Sequence, residues 1–552
     1  MVQRSSKIDQ LSDDYLRRYA ELSPTAAIGM GLSDPPEGLT DFGPEAQSER
    51  AQLGRDLVTA VSKESISDDR DRVAAESIKE RLGVETDQHD AGEWMRELRV
   101  FGSPYHVTQG VFELLPHSSS EDWEEIASRM AHVPDALESF RTSLSLGIER
   151  GIVAAKRQAL ACARQTAETG EGYFTRYVAA APDDALSEHL GVLAKAADAS
   201  YLQLSEFLKT DYLKAASDVD AVGRERYTIA CRRWTGIDLD FEETYAWGWD
   251  ELSRIQAQMR DVSEQIAPGG GLDGAIELLE TDPARSIEGI DNLIAWLQEL
   301  MDGAIADLSG MHFDIPDPVK TVEARIAPPG SAAAMYYTRP SEDFSRPGRT
   351  WYPPLDKDQF PLWVEVSTAY HEGVPGHHLQ LGYTTWLGDS LNSFQRHRAL
   401  VSGHIEGWAL YAERLMGELG YLENPDYLLG MLAAQAHRAA RVIVDIGMHL
   451  ELEIPSGQPY HPGETWTPEL ALPFMVDAGR RTEAFMASEV VRYLGWPAQA
   501  ISYKVGERVW LETREKVRAT EGATFDLKRF HQRAFELGLV GLGQLQRELA
   551  GD

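Results

Sequence analysis

"VSTAYHEGVPGHHLQLGY" occupies Val366–Tyr383, and three histidines and a glutamate fall within eight of its residues: His371, Glu372, His377 and His378. His-Glu opens the H-E-x-x-H device, in which histidines at i and i+4 share one helix face and hold zinc while the glutamate acts as general base. Here the i+4 position is Pro375. On a regular helix His377 would lie ~9 Å along the axis and roughly 120° off the face of His371. His378 would return to that face but lie ~10.5 Å away. Imidazoles that each need a bond of ~2.0–2.1 Å to one ion cannot span either gap. A metal at this stretch therefore demands a broken helix.

The stretch supplies the means. Pro375 has no N–H, so the bond back to the carbonyl of His371 is missing, and Gly373 and Gly376 permit unusual dihedrals. A two-residue bulge at "GVPG" would return one of the later histidines to the pitch of i+4, and helix bulges are frequent at functional sites. The spacing alone leaves His377 and His378 as alternatives. A third ligand should come from another helix. "GHIEGWALYAERLMGEL" (Gly403–Leu419) reads as one, with Leu400, Ile405, Trp408, Ala409, Ala412 and Leu415 on its buried surface. Glu406 and Glu413 fall among these positions, and a buried carboxylate needs a partner. Two histidines and one glutamate leave a fourth zinc position for water, a hydrolytic rather than a structural pattern.

Taken together, "HEGVPGHH", "EGWALYAE" and "QAISYKVG" resemble the bacterial domain-of-unknown-function 885 family, with its signature H-E-x-x-P-G-H-H. "SPTAAIGMGL" (Ser23–Leu32) resembles that family's N-terminus. The family in turn resembles helical zincin-like metallopeptidases, among them the Taq-type carboxypeptidases and the angiotensin-converting enzyme group. The resemblance implies a large helical zincin-like fold with a deep cleft and one Zn2+ ion. Relatives carry glycine just before the second histidine, as Gly376 stands before His377. The resemblance thus implies His371, His377 and Glu406 as ligands and Glu372 as base.

The rest of the chain fits a large globular protein of mostly α class. It has 552 residues, 43% hydrophobic and 26% charged, enough for a sizeable core. A net charge of −35 argues against nucleic acid and anionic membranes as partners, since both attract Lys/Arg clusters. Cys162 and Cys231 lie far apart and outside any C-x-x-C pattern, which predicts reduced, buried thiols in a cytoplasmic protein. The N-terminal stretch is charged throughout and lacks the apolar core of a signal peptide. Nothing approaches the ~20 apolar residues of a membrane span.

Helical periodicity predicts, among others, helices over Ser120–Arg150, Phe241–Ile266, Ser286–Met311, Phe394–Gly420, Tyr427–Leu450, Pro468–Leu494 and Ala498–Thr520. Between them, "TVEARIA" (Thr321–Ala327), "SAAAMYYTRP" (Ser331–Pro340) and "GRTWYPP" (Gly348–Pro354) predict one small β-sheet, about 321–354, next to the metal-binding helix. The turn cluster "APGGGLDG" (Ala267–Gly274) predicts a soft boundary. It would part an N-terminal helical half covering the cleft (1–270) from a C-terminal catalytic half (271–552).

Amide hydrolysis also needs a donor for the oxyanion besides the metal. Tyr503, in the mostly apolar "AISYKVGE" (Ala500–Glu507), is the candidate, with Gly506 allowing close approach and Lys504 exposed or a second donor. The zincin relatives use a late-helix tyrosine in this role. His437, Arg441, Asp445 and His449 recur every four residues on an otherwise apolar helix and form one polar stripe. Arg441 suits a substrate carboxylate, and His449 an oxyanion donor or an orienter paired with Asp445. Tyr337 and its neighbours Tyr336, Arg346 and Arg349 are candidate substrate contacts at a sheet edge. His531 reads as a core residue. The expected activity is zinc-dependent hydrolysis of peptide bonds, carboxypeptidase-like or oligopeptidase-like, with Glu372 taking a proton from the water at the metal. The alternatives are a zinc amidohydrolase of a small non-peptide molecule and a catalytically silent metal- or peptide-binding relative. Retention of Glu372 argues against the last, because binding alone requires no base.

Overall fold

The computed structural model describes residues 6–32, 34–181, 186–327, 335–353 and 357–551. Residues 1–5 of the charged N-terminal stretch, and positions 331–334 and 354 of the expected strands, lie outside the described residues. The described chain is mostly helical. Phe241–Ile266 and Pro425–Leu450, 26 residues each, pack along one another at the centre. Ser402–Glu418 crosses Ser502–Glu521 at three glycines. A Cβ on Gly407 would stand 2.5 Å from the Cα of Gly506, and one on Gly506 only 2.1 Å from the carbonyl oxygen of Gly403. This contact brings Glu406 and Tyr503, each next to a crossing glycine or one turn from it, to neighbouring positions.

Several predicted helices are divided. Ser120–Met130 and Val133–Arg150 are separate because Pro134 offers no N–H to the carbonyl of Met130. Pro468–Gly479 stops at Arg480, whose φ of 50° is left-handed, and Glu483–Gly495 restarts the chain. Phe394–Gly420 is Ser393–His397 followed by Ser402–Glu418, and Leu400 between them is 43% exposed rather than part of the buried surface.

Among the described residues five short strands form two sheets. Strand β1 (Ser286–Glu288) pairs antiparallel with β5 (Gln359–Pro361), an addition to the single expected sheet that shortens the predicted helix there to Ile290–Leu308. Strands β2 (Val322–Ile326), β3 (Tyr336–Thr338) and β4 (Gly348–Tyr352) form the other, in the order β2-β4-β3. In it β2 runs parallel to β4, with Val322 opposite Gly348, and β3 runs antiparallel, with Tyr337 opposite Thr350.

The turn at 267–274 divides no core. Helices on both sides of it, Phe241–Ile266 and Pro425–Leu450, bury their apolar faces in one cluster that takes in Val73 and otherwise runs from Tyr227 to Leu549. A second cluster spans Leu98–Ala216, and a third joins Ile8–Leu82 to Phe394 and Ala399. The packing therefore changes hands between Ala216 and Tyr227, where no turn cluster marks the sequence.

Candidate metal centre

The helix that carries His371 runs Glu365–Glu372 and ends at Gly373; a second helix, His377–Leu387, begins four residues later. The chain between them forms a wide turn around a cis Val374–Pro375 bond. The N–H of Gly376 donates to the carbonyl of Tyr370 at 3.0 Å, six residues back instead of four. Two residues have thus been inserted into one helical turn, and His377 stands where i+4 would be. A side chain does not fit at Gly376: a Cβ would lie 2.0 Å from the carbonyl oxygen of His371. Trp408 clamps the turn from the facing helix, its Nε1–H donating to the carbonyls of Pro375 at 2.9 Å and Gly376 at 3.2 Å. Gly376→Ala should therefore distort the turn, at a cost of roughly 1–3 kcal/mol or more, and lower the urea midpoint and the bound metal together. A variant normal in both would contradict this role.

His371, His377 and Glu406 converge. Glu406 Oε2 lies 3.4 Å from His371 Nε2 and 3.5 Å from His377 Nε2, and the three ligand atoms lie within 4.8 Å of one another. Four donors at ~2.0–2.2 Å from one ion in a tetrahedron stand ~3.3–3.6 Å apart, so the set fits a single ion. Two further observations fit it. Glu406 Oε2, the oxygen that faces both histidines, is buried without a hydrogen-bond partner among the described residues, and an unpaired buried polar atom is costly unless something completes it. His371 Nδ1 meets Glu413 Oε1 at 2.7 Å, and Glu413 accepts a second bond from the Ser367 hydroxyl. That bond turns Nε2 of His371 toward Glu406, the outer-carboxylate arrangement common to metal-binding histidines. Glu413, the second carboxylate on the predicted helix, thus positions His371 rather than joining the cluster.

Charge distribution follows the same lines. Burial lowers the proton affinity of His371, but Glu406 and Glu413 outweigh it and raise its pKa to about 9. Burial raises that of Glu406, and the two histidines reverse this, holding it well below the usual carboxylate range. Glu372 is 8% exposed, and burial raises its pKa against the pull of His377 and His371. Among the described residues it has no hydrogen-bond or ion-pair partner.

His378 is drawn away from the cluster. It is fully buried, with Nε2 donating to the carbonyl of Val319 at 2.7 Å and Nδ1 bonded to the Tyr337 hydroxyl at 3.0 Å. Both ring nitrogens are in use, which separates it from His377. Tyr337 accordingly holds His378 and the sheet, since a Cβ on Gly348 of β4 would strike both; it is not free for substrate. Arg349 pairs with Glu323 at 2.9 Å, and Tyr336 stacks on Trp351.

Tyr503 is half-buried, its pKa raised by burial and by the Glu406 carboxylate. Among the described residues no group bonds its hydroxyl. Its ring lies under Arg441, whose Cζ is 5.0 Å from the ring centroid. Arg441 is engaged elsewhere as well: Nε donates to the Tyr493 hydroxyl at 2.9 Å and Nη2 to Glu489 at 2.8 Å. It supports Tyr503 more directly than it awaits a substrate. Lys504 is neither exposed nor a second donor; it is fully buried against Gln435, Glu507 and Glu251.

The polar stripe separates. His449 is fully buried, donates to the carbonyl of Tyr493 at 3.1 Å, and has its pKa pushed down to about 4 by burial. Its Nε2 stays 4.0 Å from Asp445, which instead accepts from the Tyr227 hydroxyl at 2.6 Å and the N–H of Ala498 at 2.9 Å. Both are structural, and His449 makes no contact with the cluster. His531 is in the core, bonded to the Tyr411 hydroxyl at 2.8 Å. The sequence reading passed over Arg438, whose Nη2 lies 3.7 Å from Glu413. It sits one residue off the four-residue stripe but three before Arg441, so an i, i+3 reading would have found it.

Asp445 carries a pH prediction. Burial raises its pKa from 3.8 to about 7. The folded state thus holds a proton that the unfolded state releases, so this group's contribution is fully present below pH 3.8 and lost as pH rises through 7. Asp445→Asn, which cannot titrate, should gain on the wild type by roughly 2–3 kcal/mol between pH 5 and pH 8. Urea midpoints at the two pH values check this, and a difference independent of pH would refute it.

Residues 24–549 match the family model described as a bacterial protein of unknown function (DUF885). No functionally curated protein matches the sequence. Two solved structures share the fold. One, a candidate lipoprotein from Colwellia psychrerythraea, superposes with a TM-score of 0.84 at 20% identity, over 99% of this chain and 99% of that one. The other, a candidate lipoprotein of unknown function from Shewanella oneidensis, gives 0.75 at 17% identity over 98% and 99%. At these identities the likeness concerns the fold alone. Among the described residues no helix is long and apolar enough to cross a membrane.

Proposed function

The chain belongs to this bacterial protein family of unknown function, and we propose that it is a metal-dependent hydrolase of peptide bonds with a zincin-like cleft. His371, His377 and Glu406 would hold one zinc ion, the metal that a two-imidazole, one-carboxylate set favours. An ion bound there supplies Lewis acidity to water and to a substrate carbonyl. The observation that carries the reading is Glu372: a buried carboxylate with no partner, adjacent in sequence to one ligand and held beside the donor cluster. A structural carboxylate would have been given a partner. A general base must instead keep its oxygens free and its proton affinity raised.

In this reading Glu372 accepts a proton from the attacking water and returns it to the leaving amine. The Tyr503 hydroxyl, without an acceptor among the described residues, donates to the oxyanion as the carbonyl becomes tetrahedral. Arg441 steadies the Tyr503 ring from below. Glu413 keeps the Nδ1 proton of His371, so that Nε2 presents its lone pair to the cluster. A cytoplasmic site of action belongs to the proposal and rests on two free, buried cysteines. Digestion of a mixed peptide library, read by mass spectrometry with and without chelator, tests the activity. Chelator-sensitive cleavage restored by zinc supports it; a library left intact by zinc-loaded protein refutes it.

A further inference from the structure

A cavity of about 530 Å³ lies where the three buried clusters meet, and no residue of the His371–His377–Glu406 set lines it. Its volume is in the range of small-molecule sites. In a chain of net charge −35, its charged lining is weighted the other way: arginines 50, 96, 99, 226, 233 and 398 outnumber the carboxylates there.

Those carboxylates are already taken. Glu85 is held by Arg398 at 2.8 and 2.9 Å, and Glu93 by Arg226 at 2.8 and 3.0 Å. Glu97 pairs with Arg99 at 2.7 Å, and Asp220 with Arg157 at 3.0 Å. Arg50 spends its donors on the carbonyls of Leu22 and Asp41. Arg233 is left over. Among the described residues its guanidinium has no hydrogen-bond or ion-pair partner, and its only contact of that kind is the face of Trp234, 5.8 Å from the ring centroid. Other residues that line the cavity carry unpaired donors too: Nε of Arg96, Nε of Arg398 and Nε1 of Trp496 are buried with no hydrogen-bond partner among the described residues. Burial lowers the proton affinity of Arg233, whereas Arg96 has a carboxylate beside it, Glu93 at 3.3 Å. A half-buried guanidinium with no anion is an unfavourable arrangement, and N–H donors without acceptors lining one cavity are what an oxyanion completes.

The geometry points to a second binding site in this cavity, for a small anion of the carboxylate or phosphate class, with Arg233 as its principal counter-charge. The planar guanidinium fork suits either group. Asp220 Oδ1, also buried and unpartnered, adds an acceptor for a hydroxyl on the ligand, which favours a hydroxy acid over a bare one.

Isothermal titration of the full chain with inorganic phosphate and with malate tests this, against chloride at equal ionic strength. The expected result is one equivalent of at least one probe, weakened tenfold or more by Arg233→Gln and less by Arg233→Lys; the stronger probe assigns the class. Binding unchanged in Arg233→Gln, or no binding beyond chloride, would overturn the site. Should Arg233→Gln fail to fold, hydrogen exchange on the wild type decides. The bound probe should protect amides at 217–222 and 494–496, and unchanged exchange there would overturn it.

Discussion

Glu406→Ala should leave the protein without its metal, whereas Glu372→Gln should keep the metal and lose turnover. The two glutamates sit on different helices and do different work. Glu406 places one oxygen within 3.5 Å of both histidine nitrogens; alanine removes a third of the donor set and leaves His371 and His377 facing a void. Glu372 provides no atom to the three-donor cluster, and glutamine preserves its shape while removing its capacity to take a proton. General-base catalysis contributes typically ~10²–10⁴-fold, so turnover in Glu372→Gln should fall by that factor at unchanged metal content. Glu413→Gln should lie between the two, with metal affinity lowered ~10–100-fold through the lost grip on His371. Elemental analysis and turnover on the same preparations separate the cases. Equal loss of metal in Glu372→Gln and Glu406→Ala would contradict the division of roles.

Tyr503→Phe should lower kcat with little change in KM. The hydroxyl has no acceptor among the described residues, so an interaction formed only in the transition state is the one it has left to make. Losing one such donor typically costs ~10²–10³ in rate. The fold should not notice. The ring keeps its place against Arg441, and no buried partner is abandoned, so the usual penalty of about 1–3 kcal/mol for an orphaned group does not arise. A normal kcat would remove Tyr503 from the mechanism, and a large drop in the urea midpoint would show that its hydroxyl has a structural partner.

The convergence of His371, His377 and Glu406 was legible because its signals are local. The His-Glu pair, the Gly-x-Pro-Gly interruption and the buried-face glutamate each state a conflict with a regular helix or an apolar surface. One geometry, a turn widened by two residues, resolves all of them. The placing of His377 rather than His378 in the cluster was not local: it depends on Val319 and Tyr337, which come from a distant 3-10 helix and a strand. The stripe on Pro425–Leu450 misled for a related reason. Four-residue spacing says that His437, Arg441, Asp445 and His449 share a face, but not what packs on it. Here Tyr227, Tyr493 and Glu489 arrive from other helices and occupy Asp445, His449 and Arg441. Lys504 was misjudged because Gln435 and Glu251 reach it from two other helices, beside Glu507 of its own, and periodicity cannot register the first two. The undivided core across residue 270 escaped for the opposite reason: a Gly-rich turn looks the same within a domain as between two.

We propose that His371, His377 and Glu406 together hold one ion. The most direct test is the metal-to-protein ratio after zinc loading and desalting, for the wild type beside His377→Ala. One zinc per chain in the wild type and nearly none in the variant is the predicted result. A wild type that retains no metal, or a His377→Ala protein that retains as much as the wild type, would contradict it.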